Sequence, residues 1–350
     1  MKCAINGFGR IGRTSFRIWY LYHKDTMEMV AVNTSGSMDI ADWAHLLKYD
    51  SNYGVWNEKI EVQEHQKAKE ATDQDPVIGT LVIGDKHIQF LAQRDPAKLP
   101  WGALGVDTVI ESTGVFISQE KASLHIQAGA KHVVLSAPPK GDGIGTYVLG
   151  VNSVPQDTQG GNTIVSNASC TTNCVAPVTA IIQKAFGIKK AMMTTIHAYT
   201  DDQNLHDNSH RDLRRARAAA KNIVPTTTGA AVAVTETIPE LKDRFDGLAI
   251  RVPVATGSLS DMTFLVSRPT TVEEINQVLS EASQSEQWKN LLAVTADPLV
   301  SSDIVGRRES SIVDLGLTQV VDGDLIKVVS WYDNEWGYCN RLVEQVGTLS

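Results

Sequence analysis

Four cysteines, Cys3, Cys170, Cys174 and Cys339, are spread over 350 residues. They are too few for a disulfide scaffold and fit a reduced, cytoplasmic setting. No apolar run approaches the roughly 18–20 residues that a membrane span needs. Met1-Lys2 passes straight into a strand-like Cys3-Ala4-Ile5-Asn6, so no signal or transit peptide is expected. A basic excess is missing too: 32 Lys and Arg stand against 40 Asp and Glu, a formal charge of −8. Dedicated nucleic-acid binding calls for the opposite footprint. There is no internal repeat and no low-complexity tract. What is present is ordinary globular composition, 42% hydrophobic and 21% charged, with length enough for two domains.

The first half alternates short apolar strands with helical stretches. Strand-like runs fall at Cys3–Asn6, Met29–Asn33, Asp107–Glu111, His132–Ser136 and Thr163–Ser166. Ile11, Ser15, Ile18 and Tyr22 repeat at the spacing of one helix face. Strand–helix–strand in about 33 residues is a βαβ unit, and its repetition argues for a parallel sheet covered on both sides. Residues 64–79 are polar and read as an exposed excursion, followed by a hairpin around Gly84-Asp85. After Cys170 come a helix-like run at Cys174–Phe186, a strand at Ala191–Ile196 and a long polar stretch, Asp201–Lys221. Strands at Leu248–Val254, Asp261–Ser267 and Leu325–Ser330 point to a largely antiparallel or mixed second sheet. Thr271-Val272-Glu273-Glu274 is a capping box opening a helix, and a last helix starts near Glu335.

Gly7-Phe8-Gly9-Arg10-Ile11-Gly12 lies where the first strand turns into the first helix. The pattern G-x-G-x-x-G is weak alone and strong in that position. Its glycines serve a tight turn, backbone approach to a pyrophosphate and close helix–strand packing, with the helix N-terminus facing the phosphates. The competing reading is a purely structural turn. The acid that usually ends the second strand and bonds the ribose 2′-hydroxyl is missing: Asn33 is followed by Thr34-Ser35-Gly36. A 2′-phosphate is then no longer repelled and meets two hydroxyls, although no Arg or Lys lies between Ala31 and Leu47.

Ser169-Cys170-Thr171-Thr172-Asn173-Cys174 precedes a helix, where dipole and free N–H groups stabilise a thiolate. Cys-x₃-Cys is not a usual zinc spacing, and no metal site is expected. Cys174, beside Val175, Ala176 and Val178, suits an inert buried thiol. Of nine histidines, His197 ends an apolar strand just before the long loop, where catalytic side chains tend to sit. Arg211, Arg214, Arg215 and Arg217 cluster in that loop, and Thr226-Thr227-Thr228-Gly229 adds hydroxyls and a backbone amide. They read either as an anion pocket or as a solvated or subunit-contact charge run.

Taken in order, Asn6–Arg13, Ser166–Cys174, Thr194–Thr200, Asp212–Arg217, Pro225–Ala230 and Ser330–Tyr338 resemble phosphorylating glyceraldehyde-3-phosphate dehydrogenase over nearly the whole chain. The resemblance implies an α/β fold: a Rossmann-type doubly wound parallel sheet over 1–167, with the helix 335–350 packing back on it. An α+β catalytic domain with a mixed or antiparallel sheet would span 168–334, carrying an S-loop at about 198–222. It implies Cys170 as nucleophile and His197 as its base. Thr200 and Arg251 match the site for the substrate's phosphate. Ser169, Thr171, Arg214, Thr228 and Gly229 match the site for attacking inorganic phosphate. Gly7, Phe8, Gly9, Arg10 and Ile11 match the pyrophosphate turn, Thr34 the adenosine ribose, and Arg94, Thr113 and Ser136 further cofactor contacts. Asn334 matches the residue that holds the nicotinamide amide.

A homotetramer is implied as well. Asn208-Ser209 stands where strictly NAD-dependent relatives carry Leu-Pro, and with Thr34 it favours use of NADP beside NAD. Erythrose-4-phosphate dehydrogenase, built on the same scaffold, and a non-catalytic binding or scaffolding relative are the alternatives. The intact Thr226–Gly229 run favours the glyceraldehyde enzyme over the first, and Cys170, His197 and Arg251 together argue against the second.

Overall fold

The computed structural model describes residues 1–155 and 163–349, so Ser350, the end of the expected C-terminal helix, lies outside them. The chain divides into two compact units. One comprises Met1–Thr146, Val154–Asn167 and Leu342–Ser350; the other comprises Tyr147–Ser153 and Ala168–Arg341. Among the described residues no helix is long and apolar enough to cross a membrane.

The first unit is built on a nine-stranded sheet. From one edge the strands run Gly145–Thr146, Thr163–Ser166, His132–Leu135, Thr108–Glu111, Lys2–Asn6 (β1), Glu28–Thr34 (β2) and Lys86–Ala92, all parallel. Val77–Ile83 and Ile60–Glu64 then extend the sheet antiparallel at the other edge. Central strands such as Thr108–Glu111 and His132–Leu135 are buried along their whole length, as a sheet covered on both faces requires. Strand order runs outward from β1 in both directions, so the switch point, and the crevice it opens, lies at the carboxyl ends of β1 and Thr108–Glu111.

The first helix, Arg10–Ile18, departs from the expected face. Its last turn widens into a π-turn, Trp19–His23. The extra residue per turn rotates everything beyond Ile18. Trp19 and Tyr20 are thereby buried against Phe16 and Trp56, while Tyr22, expected on the apolar face, is 43% exposed.

The second unit packs a seventeen-residue helix, Cys170–Phe186, against a mixed eight-stranded sheet. Val175, Val178 and Ile182 on the helix and Met262, Phe264 and Val328 on the strands form one buried cluster. Each such side chain contributes about 1.5–3 kcal/mol of burial, which fixes the helix firmly over the sheet. The central strand, Ile188–Ala198, pairs parallel with Phe245–Val252 and antiparallel with Ser258–Val266. The long polar stretch is a compact loop. Asn204 N–H donates to the Arg215 carbonyl, Asn208 N–H to Ala216, and Arg217 pairs with Asp207 at 2.7 Å.

Candidate active site and cofactor cleft

In the first unit the glycine turn is a backbone cradle. Gly7 adopts φ 96°, open to glycine and strained for other residues. A Cβ on Gly12 would stand 2.0 Å from the Gly7 carbonyl oxygen, so the helix approaches the strand only because residue 12 lacks one. A Cβ on Gly9 would meet nothing within 4 Å, and that open side exposes the first N–H groups of the helix. A cleft of about 220 Å³ continues from Gly7 past Asn33, Thr34, Ser35 and Arg94 to Thr113. These residues fit a dinucleotide, with the pyrophosphate at the helix N-terminus and the adenosine toward Thr34.

Several expected cofactor side chains are committed elsewhere. Phe8 is 2% exposed and packs edge-to-face on Phe16, Trp43 and Phe90, so only its backbone is available. Arg10 pairs with Asp50 at 2.6 Å, so what it presents at the helix start is main chain. Ile11 occupies the next position of that turn. Thr34 lines the cleft, but its hydroxyl donates to the Leu91 carbonyl at 3.1 Å and its oxygen lies 3.4 Å from the Gly36 N–H. Of the two hydroxyls expected at the ribose, only that of Ser35 is exposed. Arg94 is exposed on the cleft wall, and the Ser136 N–H donates to the Glu111 carbonyl at the end of its strand.

Sequence reasoning missed the centre of this region. Glu111, with no exposed side-chain area, accepts from Asn6 Nδ2 at 2.6 Å, from the Thr113 N–H at 2.7 Å and from the Thr113 hydroxyl. His125, equally buried, completes the set. Trp101 Nε1 donates to its Nδ1 at 3.0 Å, so the proton lies on Nε2, which donates to Glu111 at 3.0 Å. A buried carboxylate satisfied by four donors fixes the loop that carries Thr113. Nothing in the spacing of residues 6, 111, 113 and 125 announces it.

The second unit carries the reactive pair. Ala168 adopts φ 57°, Ser169 caps the helix by accepting from the Thr172 N–H at 3.1 Å, and Cys170 opens the first turn. The helix starts at Cys170, a full turn earlier than the apolar pattern from Cys174 onward indicates. Cys170 Sγ lies 3.3 Å from His197 Nε2. His197 Nδ1 donates to the Ala198 carbonyl at 2.6 Å, which leaves Nε2 as the acceptor facing the thiol. Burial, then the nearby Arg251 guanidinium, holds the imidazole down to about 3, so it stays neutral over the physiological range.

Burial also pushes the Cys170 thiol up, against the pull of Arg251 and the Thr171 N–H. Neither group ionises cheaply alone. Transfer of the proton from Sγ to Nε2 creates both charges at once, 3.3 Å apart, where each offsets the other.

His197 and Arg251 are direct partners across the parallel strands. Adjacent strands are roughly 4.8 Å apart, so the two side chains share one face as neighbours. Arg251 Nη1 donates to Thr200 Oγ1 at 2.5 Å and lies 3.4 Å from the Ala198 carbonyl oxygen. Its Nε is buried and has no acceptor among the described residues, the arrangement of a guanidinium kept for an anion. Thr200 donates in turn to Asp202, a carboxylate the sequence reading had not singled out.

Asp202 leads to a second difference. The arginine hydrogen-bonded to the threonine run is Arg215, the neighbour of the expected Arg214. Arg215 donates through Nε to Thr226 Oγ1 at 3.0 Å and through Nη2 to the Thr227 carbonyl, and it pairs with Asp202 at 2.5 Å. Its side chain is 18% exposed. Arg214 is exposed, donates to the Pro225 carbonyl at 3.5 Å and lines a cavity with Thr226 and Thr227. Successive residues of this turn face different ways, and sequence alone does not say which one turns inward.

Thr228 accepts from the Ala230 N–H at 3.2 Å, and Gly229 caps the helix Ala230–Thr237 with open space where a Cβ would be. Thr171 is bonded to the Tyr332 hydroxyl at 2.9 Å, which also reaches Thr195 at 2.8 Å. Asn334 accepts through Oδ1 from the Gly257 N–H at 3.1 Å and the Ser258 hydroxyl at 2.8 Å. Its NH₂ end therefore remains the donor, as a carboxamide oxygen requires.

A dinucleotide cradle in one unit and, in the other, a cysteine–histidine pair flanked by anion-binding side chains define a cofactor-dependent oxidoreductase that works through a thiol nucleophile. Comparison with known proteins narrows the class. Residues 1–119 match the family model "Glyceraldehyde 3-phosphate dehydrogenase, NAD binding domain", and residues 169–334 match "Glyceraldehyde 3-phosphate dehydrogenase, C-terminal domain". The chain is 48% identical over 344 residues to glyceraldehyde-3-phosphate dehydrogenase 1 of Streptomyces avermitilis, covering 98% of this chain and 97% of that one. It is 48% identical over 353 residues to glyceraldehyde-3-phosphate dehydrogenase of Borreliella burgdorferi, with 98% of each covered. Against glyceraldehyde-3-phosphate dehydrogenase A, chloroplastic, of Zea mays, identity is 47% over 345 residues, covering 98% of this chain and 81% of that one. The chain belongs to the glyceraldehyde-3-phosphate dehydrogenase family.

Proposed function

We propose that the chain oxidises D-glyceraldehyde 3-phosphate to 1,3-bisphosphoglycerate with inorganic phosphate and a nicotinamide dinucleotide. The observation that carries this reading is the Cys170–His197 pair set in strand register with Arg251. Arg251 and Thr200 anchor the substrate's phosphate by charge-assisted hydrogen bonds, leaving the aldehyde toward the thiol. His197 Nε2 takes the Sγ proton, and the thiolate adds to the carbonyl carbon, forming the C–S bond of a thiohemiacetal. The Cys170 N–H at the helix start and the protonated His197 stabilise the oxyanion, and His197 then returns its proton to it, giving the hydroxyl of the thiohemiacetal. Neutral His197 then takes the hydroxyl proton as the C–H bond gives up its electron pair. The nicotinamide of the bound dinucleotide is the hydride acceptor. An oxygen of inorganic phosphate, held by Arg215 and the Thr228–Gly229 segment, attacks the thioester. The C–S bond breaks, and the thiolate leaves as the acyl phosphate forms.

Reduced cofactor should therefore form continuously only when glyceraldehyde 3-phosphate and inorganic phosphate are both supplied. Turnover indifferent to phosphate, or faster with erythrose 4-phosphate, would overturn the reading. Arg251→Gln is expected to raise KM for glyceraldehyde 3-phosphate about 10- to 100-fold, since a charged hydrogen bond contributes roughly 1.5–3 kcal/mol. An unchanged KM would remove Arg251 from the anchor.

Use of NADP beside NAD is part of the proposal. No carboxylate stands at residue 34, the Ser35 hydroxyl is exposed, and Arg94 lies on the wall of the same cleft. These supports replace the one first drawn from the Thr34 hydroxyl, which bonds to Leu91. Thr34→Asp is expected to lower kcat/KM with NADP at least tenfold relative to NAD; an unmoved ratio discredits the position. Assembly into a homotetramer is supported by bare apolar side chains in and after the long loop, with Leu205 73%, Leu213 80% and Ile223 69% exposed. A cytoplasmic location fits the four free thiols.

A further inference from the structure

The segment between the edge strand Ile60–Glu64 and its neighbour Val77–Ile83 reads from sequence as a plain exposed excursion. Its contacts tell more. It folds back along the first unit and holds both walls of the cofactor cleft at the Thr34 end. On one wall, the Ala68 N–H donates to Asp39 Oδ1 at 2.7 Å, and Lys67 Nζ lies 3.5 Å from Asp39 Oδ2. Asp39 caps the helix Ile40–Lys48, so this contact fixes the far end of the loop that starts with Thr34-Ser35-Gly36. The Ala68 carbonyl oxygen also comes within 3.7 Å of where a Gly36 Cβ would be.

On the other wall, Asp73 Oδ1 accepts from Gln93 Nε2 at 3.0 Å, and Asp73 Oδ2 pairs with Lys98 at 2.6 Å. Gln93 is 8% exposed and is held further, its N–H also reaching the Thr34 carbonyl at 3.1 Å. Its N–H donates to Asn33 Oδ1 at 3.0 Å, its carbonyl accepts from Asn33 Nδ2 at 2.8 Å, and its Oε1 accepts from the Asp95 N–H at 2.9 Å. Arg94 sits between those bonds, on the cleft wall. The excursion itself is tied down by Gln66 Nε2, which donates to the Asp75 and Val77 carbonyls at 3.0 and 2.8 Å.

We infer that this excursion is a brace for the adenosine end of the dinucleotide, with Asp73 as a positioning residue that acts through Gln93 on Arg94 and on the separation of the two walls. The inference rests on the cofactor use proposed above. Asp73 lies outside the cleft lining; it removes freedom from the wall that forms it. Without it, Gln93 keeps its backbone bonds and the Asp95 N–H on Oε1 but loses the second restraint on its side chain, so more of the ordering of Arg94 and the Thr34–Gly36 loop falls to the ligand itself. That ordering weakens binding and leaves the chemistry at Cys170 untouched.

Calorimetric titration of NAD into the full-length protein, with steady-state kinetics and amide exchange alongside, tests this. Asp73→Ala is expected to weaken the NAD Kd about 3- to 10-fold and to raise KM for the cofactor in parallel, at constant kcat. Amides of residues 34–39 and 93–95 should exchange faster, at an unchanged melting temperature. Asp73→Asn retains an acceptor for Gln93 and should recover most of the affinity. Replacing residues 65–76 by a short turn should match or exceed the Asp73→Ala effect. An Asp73→Ala protein with wild-type Kd, or one weakened only in step with lost thermal stability, overturns the brace. If wild-type protein binds no dinucleotide, it is the proposed function that fails instead.

Discussion

Serine at position 170 is expected to leave a folded protein whose kcat is lower by roughly four orders of magnitude. The change removes one polarisable atom from a half-buried site and disturbs little packing. What it removes is acidity. The acceptor facing residue 170 is an imidazole that burial and Arg251 hold at about 3, a weak base. A thiol gives its proton to such a base because the resulting ion pair is compact and the thiolate is intrinsically nucleophilic. An alcohol, several pKa units weaker as an acid, does not. The check is phosphate-dependent formation of reduced cofactor, with circular dichroism to confirm folding. Activity within tenfold of the native protein would mean that the thiol is not the nucleophile.

The second large effect belongs to His197. His197→Asn should lower kcat by about 10²- to 10⁴-fold, the usual worth of a positioned acid–base group. It should also move the pH dependence of Cys170 alkylation. In the native protein the Sγ proton has an acceptor 3.3 Å away. Without that acceptor the thiol must ionise alone, and burial, the largest influence on it, disfavours the charged form. The apparent pKa of alkylation by iodoacetamide should therefore rise, and reactivity at neutral pH should fall. An identical pH profile in both proteins would remove His197 from the proton path, whatever the loss in rate.

The glycine turn, the thiol and its histidine were legible in the sequence because each depends on local order. Gly7, Gly9 and Gly12 follow from what a strand-to-helix turn around a phosphate demands. Cys170 follows from a helix start, and His197 from a strand end. The features that were not legible all depend on distance through space. Arg215 rather than Arg214 is hydrogen-bonded to the threonine run because of how one loop turn is wound. Thr34 gives its hydroxyl to Leu91, 57 residues away in sequence. Glu111 has partners at Asn6 and His125 that no spacing rule connects. The π-turn at Trp19–His23 adds a residue to a turn without any proline or glycine to mark it. Fold class came through because binary pattern repeats over many residues; the fine assignment of donors did not, because each is settled by one contact.

The pairing of His197 with Arg251 has an operational consequence. Proton acceptor and anion hook are written into the same rung of one ladder of main-chain hydrogen bonds. Loosening that rung releases both together, so heat or denaturant should not yield a form that grips substrate yet fails to turn it over. Inactivation should look like a switch being thrown, with affinity and turnover vanishing on a single curve, and residual activity in a stressed sample should count intact molecules and not impaired ones.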